Sequence, residues 1–200
     1  VRTARIGLGG SFSSVSRESF LLANNVLLGS AAATVFLGTL YPLLIDALGV
    51  GKISVGPPYF EAVFVPLMAP ALFLMGVGPL ARWKRTSVPE LAVIARWALG
   101  ISLALGILSP FLFGNWSAMV GFGLALAIWI VLSGVLTLRK SFAHTRAHYG
   151  MVLAHVGVAV FVVGVTLVKG YEAERDANMK PGEAIEVAGH VFRLDSVSNV

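Results

Sequence analysis

An all-α polytopic membrane helix bundle of five transmembrane helices, followed by the start of a β-rich domain, is the fold class this sequence predicts, and three observations predict it. Hydrophobic residues make up 56% of the 200-residue chain and charged residues only 12%, and the mean hydropathy of +0.83 lies well outside the range of soluble domains. Five apolar stretches each reach the roughly 20 residues that cross a hydrocarbon core of about 30 Å. After residue 170 that character is lost, and alternation with turn residues takes its place.

The first stretch, 20–48, follows a segment, 1–19, that carries Arg2, Arg5 and Arg17. The others run over 60–80, 91–113, 117–138 and 150–168, joined by the short connections GVGKISVGPP, ARWKRTSVPE, FGNW and RKSFAHTRAHY. Pro42, Pro66, Pro70 and Pro110 fall inside the spans, where each removes a backbone donor, so kinks are expected there. Pro57 and Pro58 are expected to stiffen the turn before the second span, and Tyr59 and Phe60 suit an interfacial belt. Gly150, Gly157 and Gly164 recur every seven residues, a stripe that a neighbouring helix could approach closely. In the tail, MKPGE reads as a turn and 184–194 as a hairpin around Ala-Gly. A lone hairpin is marginal in water, so further strands are expected beyond residue 200 and the chain reads as a fragment.

The formal charge of +5 could suggest nucleic acid, but the cations lie in short patches between apolar runs and act as topology signals. Arg17, then Arg82, Lys84 and Arg85, then Arg139, Lys140 and Arg146 fall on alternate connections. The positive-inside rule then makes 1–19 cytoplasmic, 20–169 the transmembrane region, and 170–200 the start of a periplasmic domain if the source is a Gram-negative bacterium. With no cysteine, disulfides, thiolate metal sites and thiol redox chemistry of the chain's own are excluded.

Ionisable groups in hydrocarbon are costly and each needs a reason. Asp46, Glu61, Glu90 and Arg96 lie near span ends and read as interfacial anchors. His155, in GMVLAHVGVAVFVVGV, is the one set more than a turn deep. His144, His148, Met151 and His155 follow one another at intervals of four, three and four, and so share a helix face if the helix starts early. His155 has three readings: a neutral imidazole bonded to a backbone carbonyl or to a serine of a neighbouring helix, an axial haem ligand, or a proton relay. Asn24 and Asn25 place two amides in the first span, for interhelical hydrogen bonds or for contact with a haem propionate or a quinone headgroup.

The stretches SRESFLLANNVLLGSAAATVFLGTLYPL, KISVGPPYFEAVF, MVLAHVGVAVFVVGV and ERDANMKPGE together resemble the CcmF family, the large membrane subunit of the bacterial cytochrome c haem lyase, with its nitrite-reductase assembly relatives. The resemblance runs through nearly the whole chain and matches the C-terminal part of the family. It implies a multi-pass protein of the bacterial inner membrane. Such a protein receives haem from the chaperone CcmE and ligates it to an apocytochrome c brought by CcmH/CcmI-type subunits. It also implies a resident haem b between two transmembrane histidines, reduced by quinol, with His155 matching the second of them. Membrane lipid is a partner and nucleic acid is not. Whether the chain is itself an enzyme stays open; the resemblance makes it a component of a haem lyase with a quinol:haem reductase role. The family's tryptophan-rich segment, its two periplasmic histidines and its first transmembrane histidine have no counterpart in these 200 residues. One imidazole cannot complete a bis-histidine site, so the second axial ligand is expected outside them. His190, in the hairpin, reads as a surface residue.

A transporter or proton-translocating subunit is the alternative. It would place carboxylates or lysines at mid-membrane, which these spans do not offer. A structural scaffold for other assembly factors is a third reading.

Overall fold

The computed structural model describes residues 13–113, 116–140 and 146–197. Five long helices, α1 (Arg17–Ala47), α2 (Pro57–Val77), α3 (Val88–Leu108), α4 (Ala118–Lys140) and α5 (Arg146–Tyr171), precede a hairpin of β1 (Ala184–Val187) and β2 (His190–Arg193). All five helices are long and apolar enough to cross a membrane. The shortest, α2 and α3, have 21 residues each, and at 1.5 Å per residue they reach about 31 Å.

Each expected span contains a helix, and the differences at the ends come from capping chemistry that hydropathy does not register. Ser16 caps α1 by accepting the Ser19 N–H at 3.2 Å, so the helix begins at Arg17. Ser87 accepts the Glu90 N–H at 3.4 Å and starts α3 at Val88. Pro57 and Pro58 do not stiffen a turn but open α2, where a missing N–H costs no intrahelical bond. Pro42, Pro66 and Pro70 lie within helices as expected. Pro110 does not kink a span; it sits in a 3-10 turn, Ser109–Phe113, that closes α3, because the helix cannot use a residue without a donor at that point.

The helices run in alternating directions and α4 is their hub. It packs against α2, α3 and α5, whereas α1 packs against α2 and the 3-10 turn Gly78–Leu80. Hydrocarbon supplies no hydrophobic drive between helices, so close contact depends on small residues and internal hydrogen bonds. Gly106 of α3 lies against Gly121 and Ala125 of α4, and a Cβ on Gly106 would fall on the Ala125 methyl and the Gly121 carbonyl. Gly76 of α2 lies flush against the indole of Trp129 in α4, which is fully buried and stacks on Phe73 at 5.7 Å between ring centroids. The Trp129 indole N–H donates to the Phe73 carbonyl at 3.0 Å, which answers its one polar atom. The buried hydroxyls of Ser102 and Ser133 turn back on the carbonyls of Ala98 and Ile130, at 2.7 and 2.9 Å.

The two ends of the bundle are tied differently. At one end the chain before α1 pairs with the α2–α3 connection through Arg17 N–H to Arg82 O and Thr86 N–H to Val15 O, at 3.0 and 2.8 Å. At the other, the Lys169 ammonium lies 3.0 Å from Glu61 and 2.7 Å from Glu172, joining the end of α5 to the start of α2. The hairpin beyond α5 pairs Ala184 with Arg193 through Val187 with His190. Its loop residues Ala188 and Gly189 have φ of 51° and 79°, the double positive pattern of a type I′ turn.

Two outcomes are expected. Trp129→Ala should lower stability by about 3–5 kcal/mol and Trp129→Phe, which keeps a ring but loses the indole bond, by about 1 kcal/mol, as read from thermal unfolding in one detergent. Ala188→Asn relieves a side chain held at positive φ, worth about 1 kcal/mol. Amide exchange across the hairpin should then slow by about fivefold.

Candidate functional site

His155 lies nine residues into α5, about 13 Å along the axis from its first residue, Arg146. Val152 and Ala159 on either side of it in sequence are the buried residues of this helix, so the imidazole sits on the flank of the face that meets α4 and is half-buried. Its Nδ1 is 2.8 Å from the Met151 carbonyl one turn earlier. A carbonyl can only accept, so Nδ1 carries the proton and donates. In the neutral ring the lone pair is then on Nε2, which has no hydrogen-bond partner among the described residues. Of the two partners expected for a neutral ring, the backbone carbonyl is present, from the histidine's own helix, and it answers one nitrogen of two.

α5 begins early enough to place His148, Met151 and His155 on one face; His144 lies outside the described residues. The glycine stripe is a correction. Gly150, Gly157 and Gly164 have no atom of another element close to where a Cβ would stand, and all three are exposed. Close approach to α5 occurs on the other side, where Gly123 of α4 meets Thr166 and Gly170 of α5 meets Val120. A seven-residue period marks a face that a helix could cover, and the neighbour in this chain chose the opposite one.

The two asparagines do not act as a pair. Asn24 shares a face of α1 with Ala31 and Gly38, the buried residues of that helix, and Gly38 packs on Tyr59 and Phe60 of α2. Its amide oxygen is buried without a hydrogen-bond partner among the described residues. The interhelical bond expected of it is not made there. Asn25, one position on, is exposed. His190 is exposed at the turn end of β2. Among the described residues no group of three or more His, Asp or Glu side chains could hold a metal ion together.

Sequence reasoning missed two arrangements. Lys169 and Glu172 were legible as an i,i+3 pair, but the Glu61 partner depends on how α2 and α5 meet. At the opposite end Glu18 accepts the backbone N–H of Lys84 with both oxygens, at 3.0 and 2.8 Å, while Lys84 holds a φ of 64°. Neither distance nor dihedral leaves a sequence pattern.

These features define a class: a multi-pass membrane protein that presents one oriented imidazole nitrogen from within α5. No protein-family model matches the chain. It is 42% identical over 196 residues to the cytochrome c-type biogenesis protein CcmF of Pseudomonas fluorescens, an alignment covering 92% of this chain and 29% of that protein. It is 41% identical to CcmF of Escherichia coli K12, again over 92% of this chain and 29% of the relative. To the cytochrome c-type biogenesis protein CycK of Rhizobium meliloti it is 33% identical, over 98% of this chain and 31% of that one. A solved structure of a cytochrome c haem lyase CcmF superposes with a TM-score of 0.63 at 26% identity, covering 92% of this chain and 34% of the other. The chain belongs to the CcmF family, and it spans about three tenths of the length of the curated relatives it matches.

The hydrogen bond to Met151 makes a direct spectroscopic prediction. With the imidazole neutral, ¹⁵N spectra of His155 in the purified protein should show a protonated Nδ1 and an unprotonated, pyridine-type Nε2; the reverse tautomer would mean that Nδ1 is the free nitrogen.

Proposed function

We propose that the intact protein holds haem in its membrane region and serves cytochrome c biogenesis, with His155 supplying one axial ligand through Nε2. The observation that carries this is the His155–Met151 bond, which fixes the tautomer and leaves the outer nitrogen unpartnered inside a span. Metal-bound histidines commonly donate their other ring nitrogen to a carbonyl, which orients the ring and raises its basicity. A bound haem b would supply a one-electron carrier whose potential depends on its axial ligands and on burial. This chain's part is to hold and aim one imidazole. The other axial ligand is assigned to the part of the protein outside these 200 residues, in keeping with the greater length of the relatives.

Three further assignments belong to the same reading. The cation bias supports a cytoplasmic 1–19 and a periplasmic 170–200, the first part of a β-rich domain, with 20–169 the transmembrane region, assigned here to the bacterial inner membrane. The unpartnered amide oxygen of Asn24 is a candidate acceptor for a quinol hydroxyl or a protonated haem propionate; Asn25, exposed on α1, is the weaker candidate. Haem would come from CcmE and pass to an apocytochrome c delivered by CcmH/CcmI-type subunits on the periplasmic side, the protein acting as a component of a haem lyase. A transporter gains no support from the ionisable groups, since Glu61 with Lys169 and Arg82 with Glu90 pair at the two ends of the bundle.

The test is the reduced-minus-oxidised difference spectrum of the purified intact protein. His155→Ala should lower haem content by more than about tenfold, at unchanged helicity by circular dichroism. A b-type spectrum of full amplitude in that variant would reject the ligand assignment.

A further inference from the structure

The basic end of the bundle is more ordered than a topology signal requires. Two helix N-termini, those of α1 and α3, open here with serine caps at Ser16 and Ser87, and the connections beside them are bonded to each other. Ser13 N–H donates to Lys84 O at 3.0 Å, next to the Arg17–Arg82 and Val15–Thr86 bonds already described. Thr86 and Ser16 are buried beneath this seam. Between the paired segments lies a recess of about 610 Å³ lined by Ser13, Ser14, Val15, Arg85, Thr86 and Ser87.

Charge at the recess is one-sided. Arg17, Arg82, Lys84 and Arg85 face two carboxylates, and both of those are committed. Glu90 pairs with Arg82, and Glu18 accepts the backbone N–H of Lys84. The Arg85 guanidinium and the Ser14 hydroxyl have no hydrogen-bond partner or ion pair among the described residues. The helix N-termini add positive potential of their own. Depth is marked by Trp83, which is exposed with the Arg17 guanidinium 5.0 Å above its ring, and a tryptophan in that setting sits at headgroup level. At the polar end of α1 and α3, this would put the recess near bilayer phosphates.

We propose that this recess binds the phosphodiester headgroup of an anionic phospholipid, with Arg85 as its charged anchor and the hydroxyls of Ser14 and Ser87 at its rim. A planar guanidinium donates two parallel N–H bonds to two phosphate oxygens side by side, which an isolated ammonium cannot do. Clustered cations beside membrane helices attract anionic headgroups in general; the pinned recess adds a fixed position to that attraction. The inference stands apart from the haem reading, because lipid occupancy and the haem spectrum are separate measurements.

The test is native mass spectrometry of the intact protein in detergent with added phosphatidylglycerol. Arg85→Gln should lower retained phosphatidylglycerol by about tenfold, the loss expected on removing one charge-assisted partner. Ser14→Ala should lower it less, and Arg139→Gln, in the last turn of α4, should leave it unchanged. Phosphatidylcholine of the same acyl chains should not be retained. Three results would overturn the proposal: equal loss in Arg85→Gln and Arg139→Gln, equal retention of phosphatidylcholine, or displacement of the lipid by millimolar inorganic phosphate. The last would make the recess a site for free phosphate instead.

Discussion

Hydrocarbon offers no hydrogen-bond partner, so each polar group that enters it must be answered by the protein or by something the protein holds. In this bundle the buried serines of α3 and α4 and the buried indole are answered by backbone carbonyls. Ser102 and Ser133 return to their own helices, and the Trp129 indole crosses to the Phe73 carbonyl. His155 follows the same rule with one nitrogen and breaks it with the other. The bond to Met151 is therefore more than a way of hiding a proton. It decides which nitrogen is left over, and the leftover nitrogen carries the lone pair that coordination needs. Asn24 presents a comparable situation, a buried amide oxygen that the described residues leave without a donor.

That constraint explains why so much of the fold was legible and where legibility stopped. Membrane spans register as uninterrupted apolar length, a property of each segment alone, so all five helices and the final hairpin could be placed from the sequence. Helix ends depend on single side chains. Ser16 and Ser87 begin helices in polar flanking sequence, Pro57 and Pro58 open a helix rather than stiffen a turn, and Pro110 closes one. Contacts between helices were harder still. The glycine period of α5 was real, but periodicity names a face without naming its partner, and α4 packs on the face defined by Val152, Ala159, Thr166 and Gly170. The residue that most clearly organises the core, Trp129, had no signal beyond being a tryptophan; its place depends on Gly76 of another helix leaving room for the indole.

The candidate site divides in the same way. That His155 required a reason was evident from its depth among apolar neighbours, because the cost of burying a polar ring is a property of the ring and its surroundings. Which reason applied could not follow from spacing. A carbonyl bond and a ligand role were opposed as alternatives, and the geometry shows that they are compatible: one nitrogen is spent on the helix and the other remains. The sequence also paired Asn24 with Asn25 as neighbours, but adjacent residues on a helix point about 100° apart. Only Asn24 reaches the α1–α2 interface.

The position of His155 depends on how α5 is held. Its packing partner is α4, and the exposed face bearing Gly150, Gly157 and Gly164 gives it no lateral support from the described helices. The helix is restrained instead along its length, by Gly134 beside Val152 near one end and Val120 against Gly170 near the other, with Lys169 tying that second end to Glu61. Exposed ion pairs contribute little, about 1 kcal/mol or less, so the tie sets direction more than stability. A helix held at both ends along one face can keep a flanking side chain at a constant angle while its opposite face stays open. Such a hold would suit the axial role proposed for His155, whose ring is fixed through Nδ1 while Nε2 has no partner among the described residues.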